Sequence, residues 1–304
     1  MYSSIARSYF DEFPFGRNDR RRPSSGYFFL SHAHSDHTRG LKNIITAQDS
    51  TVVCTRETAA VIKALHRIPR EKCLIVKPSQ SLDFDDFKVH CLDANHCLGS
   101  LMFVIEDNDG TKEVYTGDFR LGSVIIEEME LLRNPDHLYV DYVYGRDPKY
   151  DFPSRKELIS DILTLIHAPG NYPERNVWLS AYQIGKEILF QTISKAIGKK
   201  IWAPPQKIEI FKEIGGEWDI FTDNDDVQVF VGSRRMVENL QGIDNSLHPK
   251  ISDALRISPT GWAIKLAHKR LDVHFFPYSD HCSFSELHTF IREVNPKRIT
   301  KLGI

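Results

Sequence analysis

Apolar and polar positions follow two patterns, and the pattern changes near residue 148. Before it, short apolar or alternating runs are separated by turns such as Asp107–Gly110, which predicts β-strands. Arg56–His66 has helical spacing instead, a short helix is predicted at Thr38–Ile45, and residues 1–25 are predicted to be irregular, with one short strand at most. The predicted strands are Tyr27–Leu30, Thr51–Cys54, Leu74–Val76, Val89–Leu92, Leu101–Ile105, Glu113–Thr116 and Leu138–Asp141.

After Pro148 the chain alternates between strands and helices. Ser154 followed by Glu157 predicts a capping box for a helix that extends through His167. Alternation of this kind favours a parallel α/β unit. From Leu271 the earlier pattern returns. The later elements are strand Asn176–Ser180, helix Gly185–Ile197, strand Lys200–Ala203, a helix from Pro205, strands Val227–Val231 and Asp272–Phe276, helix Phe284–Val294 and strand Ile299–Leu302.

The composition of the 304 residues, with 41% hydrophobic and 26% charged residues, is typical of a globular protein. No run approaches the roughly 20 apolar residues of a membrane span, and the N-terminus lacks a signal-peptide layout, so neither is expected. Five cysteines without a CxxC pair favour a reducing compartment and argue against both a disulfide framework and a cysteine-type zinc finger. With a net charge of −2, nucleic-acid binding would need local basic patches or metal–phosphate contacts.

Four potential metal ligands lie together directly after the predicted strand Tyr27–Leu30. They are His32, His34, Asp36 and His37. Imidazole and carboxylate suit zinc and similar divalent ions. The His-x-His alternation keeps two side chains on one side of an extended chain, so the segment can serve two adjacent metal sites. A merely solvated polar loop is the alternative, but the density of ligands favours a metal centre.

Two further strand ends carry ligand-type side chains. His96 lies four residues beyond Val89–Leu92, and Asp118 follows Glu113–Thr116. The carboxyl ends of strands are where α/β proteins tend to build their sites. Our hypothesis is a three-histidine face, with Asp118 bridging to a second ion held by Asp36 and His37. The three histidines are His32, His34 and His96.

The segment HAHSDH (His32–His37), together with His96 and Asp118, resembles the metallo-β-lactamase signature. Five more motifs narrow the match to the Artemis/Apollo branch of the β-CASP nucleases, nearest to the Apollo form in the last motif. The resemblance covers the chain from about Tyr27 to its C-terminus. The motifs are DANHCLGS (Asp93–Ser100), YTGDFR (Tyr115–Arg120), SAYQIGKE (Ser180–Glu187), PTGW (Pro259–Trp262) and PYSDHCSFSE (Pro277–Glu286).

The resemblance implies an α/β fold, a metallo-β-lactamase αββα sandwich with an inserted α/β β-CASP domain. The first part of the sandwich would span residues 1–148, the β-CASP domain 149–262 and the return 263–304. The family's acid falls on Asp141 and its β-CASP histidine on His281. Asp141 is expected to fix a metal-ligating histidine by accepting its other N–H, and His281 to contact the scissile phosphate or the metal edge.

The remaining roles are also implied by the resemblance. Asp36 would orient or deprotonate the attacking water in addition to its role as a ligand. A pocket for a terminal phosphate would be lined by hydroxyls and one lysine, which suit that group. From the residues alone, a helix-surface lysine is the alternative for Lys186. The expected pocket residues are Ser180, Tyr182, Lys186 and Ser283.

The expected cofactor is Zn²⁺, with one ion tightly held and a second, weaker site. RNA-cleaving relatives carry a further histidine in the last strand, and residues 298–304 contain none, which resembles the DNA-acting branch. The expected activity is 5′→3′ exonuclease cleavage of DNA that is single-stranded or has a free 5′ end, preferring 5′-phosphorylated ends. It would serve DNA repair, either of interstrand crosslinks or in end and telomere processing, in the nucleus.

A monomer is expected, no protein partner is implied, and the long partner-recruiting tails of relatives are expected to be missing. Three alternatives remain open. One is an RNA-processing β-CASP ribonuclease, and another is a carbonyl-directed hydrolase of the glyoxalase or lactamase type. The third is a catalytically weak protein that binds DNA ends, which the filled ligand positions argue against.

Overall fold

The computed structural model describes residues 1–13, 26–46, 49–243, 246–267 and 272–303. They form two compact units, one of Met1–Pro148 with His281–Ile304 and the other of Lys149–Asp280. Within the described ranges, no helix has the length and apolar character needed to cross a membrane. The strands in chain order are β1 Tyr2–Ser3, β2 Ser8–Phe10, β3 Tyr27–Phe29, β4 Thr51–Cys54, β5 Cys73–Ile75, β6 Gln80–Asp83, β7 Phe87–Asp93, β8 Leu101–Asp107, β9 Lys112–Tyr115, β10 His137–Asp141, β11 Val177–Ser180, β12 Ile201–Trp202, β13 Phe221–Thr222, β14 Val229–Gly232, β15 Leu255–Pro259, β16 His274–Phe276 and β17 Ile299–Leu302.

The helices begin and end close to the predicted positions where a cap marks them. Ser154 and Glu157 form the predicted capping box at the start of α4, and His167 is its C-cap. The predicted helix at Thr38–Ile45 is instead a 3-10 helix at Leu41–Thr46. The α-helices are α1 Arg56–His66, α2 Ser123–Glu127, α3 Met129–Leu132, α4 Arg155–Ile166, α5 Glu187–Ile197, α6 Pro205–Ile214, α7 Arg234–Asn239, α8 His248–Ser252, α9 Ala263–Leu266 and α10 Phe284–Val294.

The first unit contains two sheets. One has the strand order β1-β2-β3-β4-β5, parallel from β2 onward, and the other has the order β17-β10-β9-β8-β7-β6. Residues 1–25 were predicted to be irregular, but β1 and β2 pair with each other and β2 joins β3. Strands of two and three residues are too short for an alternating pattern to identify them. Residues 14–25 lie outside the described part of the chain.

The central strand β8 explains why the two sheets pack face to face. Its side chains alternate between two cores, as the period of two along a strand requires. Phe103 contacts Phe29 of the other sheet, with ring centroids 5.5 Å apart. Met102, on the opposite face, belongs to the core that includes Leu287 and Phe290 of α10. The αββα sandwich predicted for this unit is confirmed.

The second unit is a parallel sheet with the strand order β13-β12-β14-β11-β15-β16. The predicted parallel α/β unit is therefore present, and Trp178 stacks on Phe230 in its core at 4.8 Å between ring centroids. The first division between the units falls at Pro148. The predicted return at residue 263 differs from the structure, because β16 pairs with β15 in this sheet and the first unit resumes at His281. A three-residue strand carries no signal for which sheet it joins.

Candidate metal centre

The ends of five strands in the first unit carry the polar side chains of one cluster. Each side chain lies at or just beyond the carboxyl end of a strand, so the sheet framework places it. The clustered donor atoms fall into four overlapping groups within the described residues. The contributing segments are Asp11 after β2, His32–His37 after β3, His96 after β7, Asp118 after β9 and Asp141 at the end of β10, together with His281, which precedes α10.

Three imidazoles and one carboxylate converge in the first group. His34 Nδ1 lies 3.0 Å from His32 Nε2 and 3.1 Å from His96 Nε2. Asp118 Oδ2 lies 3.5 Å from the same His32 nitrogen and 3.6 Å from the same His96 nitrogen. Two nitrogens at tetrahedral positions around zinc, each about 2.05 Å from it, are about 3.3 Å apart. The donor set and its spacing therefore fit a zinc-type ion.

The second group uses the other oxygen of Asp118. Asp118 Oδ1 lies 3.3 Å from His37 Nε2, and Asp36 Oδ2 lies 3.7 Å from the same nitrogen. The Asp36 side chain is 68% exposed, whereas His32 and His96 are buried. Asp118 thus faces both groups, as the bridging hypothesis requires, and the second group is the more solvent-accessible of the two.

His281 is held beside Asp118 by two kinds of contact. Its Nδ1 lies 2.6 Å from Asp141 Oδ2, so the carboxylate accepts that N–H and leaves Nε2 facing Asp118 Oδ2 at 3.9 Å. The backbone N–H of Cys282 donates to the Phe119 carbonyl at 2.9 Å, which ties the His281 segment to the Asp118 segment. The structure therefore brings Asp141 and His281 together, and the histidine whose N–H Asp141 accepts is His281.

Sequence reasoning missed Asp11. Its carboxylate accepts hydrogen bonds from the Ser31 backbone N–H at 2.6 Å, the Ser31 hydroxyl at 2.5 Å and the Tyr115 hydroxyl at 2.8 Å. It also lies 2.7 Å from His37 Nδ1 and so orients His37 as Asp141 orients His281. An acidic residue directly after the aromatic run Ser8–Phe10 was the available signal, but that run was not recognised as a strand.

The carboxylates of the cluster attract positive charge, here the proton of His37. Burial alone would lower the pKa of His37, but the carboxylates of Asp11 and Asp118 outweigh burial and raise that pKa to about 11. Burial and the neighbouring His32 hold the pKa of His96 well below its usual range, which keeps this imidazole neutral as a ligand must be. Burial would raise the pKa of Asp118, but His281 and His37 hold it well below its usual range.

The four residues predicted to bind a terminal phosphate have different surroundings. Ser283 accepts the Glu286 N–H in the capping box of α10, in the first unit, and the buried Ser180 hydroxyl bonds to Ser258 Oγ at 2.9 Å in the second. The ring of Tyr182 is exposed. Lys186 is only 9% exposed, with Nζ 5.0 Å from the centre of the Tyr182 ring.

Within the described ranges of the chain, the Lys186 ammonium has no hydrogen-bonding or ion-pair partner, and it lies over that ring. A helix-surface lysine, the alternative weighed from the sequence, does not describe this buried side chain.

Comparison with known families decides the classification. Residues 13–167 match the family described as "Beta-lactamase superfamily domain". The chain belongs to this superfamily. Residues 219–301 of this beta-lactamase superfamily member match a second family, "DNA repair metallo-beta-lactamase". A solved structure described as a protein of unknown function from Enterococcus faecalis V583 covers 90% of the chain and is itself covered to 74%, with a TM-score of 0.64 and 16% identity, which shows the fold alone.

Several relatives of this superfamily member are named as exonucleases or as DNA cross-link repair proteins. "5' exonuclease Apollo" of Gallus gallus is 33% identical over 283 residues, which cover 91% of this chain and 58% of the relative. "DNA cross-link repair protein SNM1" of Arabidopsis thaliana is 26% identical over 90% of this chain and 60% of the relative. The chain thus spans about three-fifths of the length of these relatives. The resemblance to the Artemis/Apollo branch is confirmed.

We expect Asp11→Asn to weaken binding at the second ligand group of this beta-lactamase superfamily member. Asparagine tolerates the left-handed backbone of Asp11, which has φ 52°, but carries no charge to orient His37. Loss of such a carboxylate partner typically lowers metal affinity by about 10- to 100-fold. Titration of metal-free protein with Zn²⁺ in a calorimeter measures the change, and the exposed Asp85→Asn serves as the control. Unaltered affinity in the Asp11 variant would refute the orienting role.

Proposed function

We propose that this chain is a metal-dependent phosphodiesterase that cuts DNA, acting as a 5′→3′ exonuclease that prefers 5′-phosphorylated ends. The observation that carries the proposal is the convergence of three imidazoles and a shared carboxylate on a beta-lactamase superfamily framework. The similarity to relatives named 5' exonuclease and DNA cross-link repair protein supports the substrate class. DNA with a free 5′ end is the proposed partner.

The proposed metal is zinc, which three imidazoles and one carboxylate suit. His32, His34, His96 and Asp118 would hold the tighter ion, and Asp36, His37 and Asp118 the weaker one. A divalent ion bound there supplies a Lewis acid for phosphoryl oxygens and a water nucleophile at neutral pH.

The surrounding residues perform the remaining steps. The exposed carboxylate of Asp36 orients the attacking water and accepts its proton. Asp141 fixes the Nδ1–H of His281, so that His281 Nε2 is turned toward the scissile phosphate or the edge of the metal centre. Asp141 fixes the position of the His281 ring, whereas the Asp36 carboxylate is exposed and lies 3.7 Å from His37 Nε2.

The preference for a 5′-phosphate rests on Lys186. The side chain of Lys186 is mostly buried and its ammonium forms no ion pair among the described residues, so a terminal phosphate would supply the charge partner and acceptor oxygens. The exposed Tyr182 ring lies beside it. The Ser180 and Ser283 hydroxyls already have protein partners, so we assign the main role in phosphate binding to Lys186.

The proposed setting is DNA repair in the nucleus, with the chain acting as a monomer. RNA processing is the second candidate, because the same metal chemistry cleaves either backbone. The described part of the second unit offers no feature that favours carbonyl hydrolysis, whereas its mostly buried lysine suits a phosphate ester.

The test compares three substrates with identical sequence and a 3′ label. They are single-stranded DNA with a 5′-phosphate, the same DNA with a 5′-hydroxyl, and RNA with a 5′-phosphate. We expect the phosphorylated DNA to be degraded fastest, by about 10- to 100-fold over the hydroxyl form, because charged hydrogen bonds contribute roughly 1.5–3 kcal/mol. Faster loss of the RNA would defeat the assignment to DNA. Turnover of a thioester or lactam, with no cleavage of either nucleic acid, would defeat both the DNA and the RNA assignments.

A further inference from the structure

The second unit contains a buried cation that the proposed chemistry does not use. Lys207 of α6 is only 2% exposed. Its ammonium lies among three aromatic rings, at 5.5 Å from the centre of Phe190, 5.1 Å from Phe211 and 5.4 Å from Phe221. Lysine is among the residues least often fully buried, so this position requires a specific explanation.

The ammonium of Lys207 donates to the loop between β11 and α5. Its Nζ lies 2.9 Å from the Gln183 carbonyl and 3.2 Å from the Tyr182 carbonyl. The loop is irregular: Gly185 has φ 111° and Lys186 has φ 65°. Repeating backbone hydrogen bonds cannot fix such a path, so side chains must fix it.

A carboxylate completes the arrangement at the other end of the loop. Glu187, the first residue of α5, is 4% exposed and its carboxylate accepts the Gly185 N–H. The charges of Glu187 and Lys207 attract each other, as their opposed effects on each other's pKa show. The backbone of the loop that carries Tyr182 and Lys186 is therefore hydrogen-bonded to one buried cation, Lys207, and one buried anion, Glu187.

The pair is a poor device for stability. Burial raises the pKa of Glu187, and burial lowers the pKa of Lys207 to about 8, in each case against the attraction of its partner. The folded surroundings thus disfavour both charged forms. Two buried opposite charges are often matched or exceeded in stability by apolar residues of similar size, and the aromatic cage would accept such a residue. What an apolar residue could not do is donate to two loop carbonyls.

We propose that Lys207 is a positioning residue for recognition of the 5′-terminal phosphate. It holds the backbone at Tyr182 and Gln183 so that the ammonium of Lys186 stays in the place where a phosphate dianion is bound. The inference rests on the proposed phosphate-binding role of Lys186. It adds that the selectivity of the loop for its ligand depends on a residue that does not touch the ligand.

The test is the variant Lys207→Met, which fills the aromatic cage with a chain of similar length and removes both donors. We expect KM for 5′-phosphorylated DNA to rise about 10-fold, comparable to the loss of a charged hydrogen bond, with kcat nearly unchanged. Kinetics on 5′-hydroxyl DNA should not change. The matched control is Lys212→Met, an exposed lysine of the same helix, which should behave as the wild type.

Hydrogen exchange of the backbone amides in residues 183–186 provides a second readout that needs no substrate. Faster exchange in Lys207→Met, confined to this loop, is expected. If the methionine variant does not fold, Lys207→Arg keeps the charge but moves the donors, and we expect the same selective rise in KM. Wild-type protein that does not distinguish the two DNA ends would overturn the phosphate-binding role itself. Wild-type discrimination that persists in a folded position-207 variant, with unchanged exchange in the loop, would overturn the role of Lys207 alone.

Discussion

Replacing Asp118 by asparagine is expected to remove most of the bound metal and to lower DNA cleavage by more than about 100-fold. Removing a residue that only hydrogen-bonds to a metal ligand typically lowers activity by up to about 100-fold, and the loss of a ligand itself should exceed that value. The two oxygens of Asp118 face both ligand groups, Oδ2 toward His32 and Oδ1 toward His37. Asparagine has nearly the same shape but no negative charge to offset two cations. It also replaces one of the two facing carboxylate oxygens by an amide nitrogen, which donates hydrogen bonds and cannot act as a metal ligand.

Metal content after gel filtration, measured by plasma emission spectrometry, is the direct readout of this change. The control is Asp109→Asn, because it removes the same charge from an exposed residue of the turn Asp107–Gly110 that belongs to neither ligand group. Circular dichroism should show that both variants are folded. An Asp118→Asn protein with a full metal load and wild-type cleavage would rule out the shared-ligand arrangement.

Asp36→Ala is expected to abolish detectable cleavage while the protein stays folded and keeps its tighter ion. The side chain of Asp36 is 68% exposed and forms an ion pair with His37, so its truncation leaves the packing of the core intact. Loss of a positioned proton acceptor typically lowers the rate by about 10²–10⁴-fold. The tighter ion should remain, because Asp36 does not belong to the group of His32, His34, His96 and Asp118 that would hold it.

Asp36→Ala therefore separates the two ligand groups, which Asp118→Asn does not. Its control is Asp86→Ala, at another exposed aspartate. A melting temperature equal to that of the wild type should accompany the loss of cleavage. Undiminished cleavage by the metal-replete Asp36→Ala protein would remove Asp36 from the mechanism.

The cluster of candidate ligands could be predicted from the sequence because these residues are dense and follow recognisable strands. His32, His34 and His37 lie in one segment, and His96 and Asp118 each follow a strand with a clear apolar pattern. Asp11 could not be found in the same way, since the strand before it has only three residues and its partner His37 is 26 residues away. Local pattern carries no information about which distant side chain a carboxylate will meet.

The second unit shows the same limit. The capping box at Ser154 and the parallel sheet follow from local signals. The burial of Lys186 and Lys207 does not, because a lysine in an amphipathic segment normally indicates an exposed face. Likewise, β16 could be predicted as a strand, but its pairing with β15 depends on packing that the pattern does not record.

The two ends of the inserted segment are joined within the first unit. His288 Nε2 of α10 lies 3.1 Å from the Gly145 carbonyl, just before the insertion begins, and His281 directly after the insertion is bound to Asp141. The segment between them therefore starts and ends at positions that the first unit itself holds together, and domain insertions are tolerated at such positions. The described residues that could hold a metal ion all belong to the first unit, so the inserted segment can vary in sequence and length without altering them.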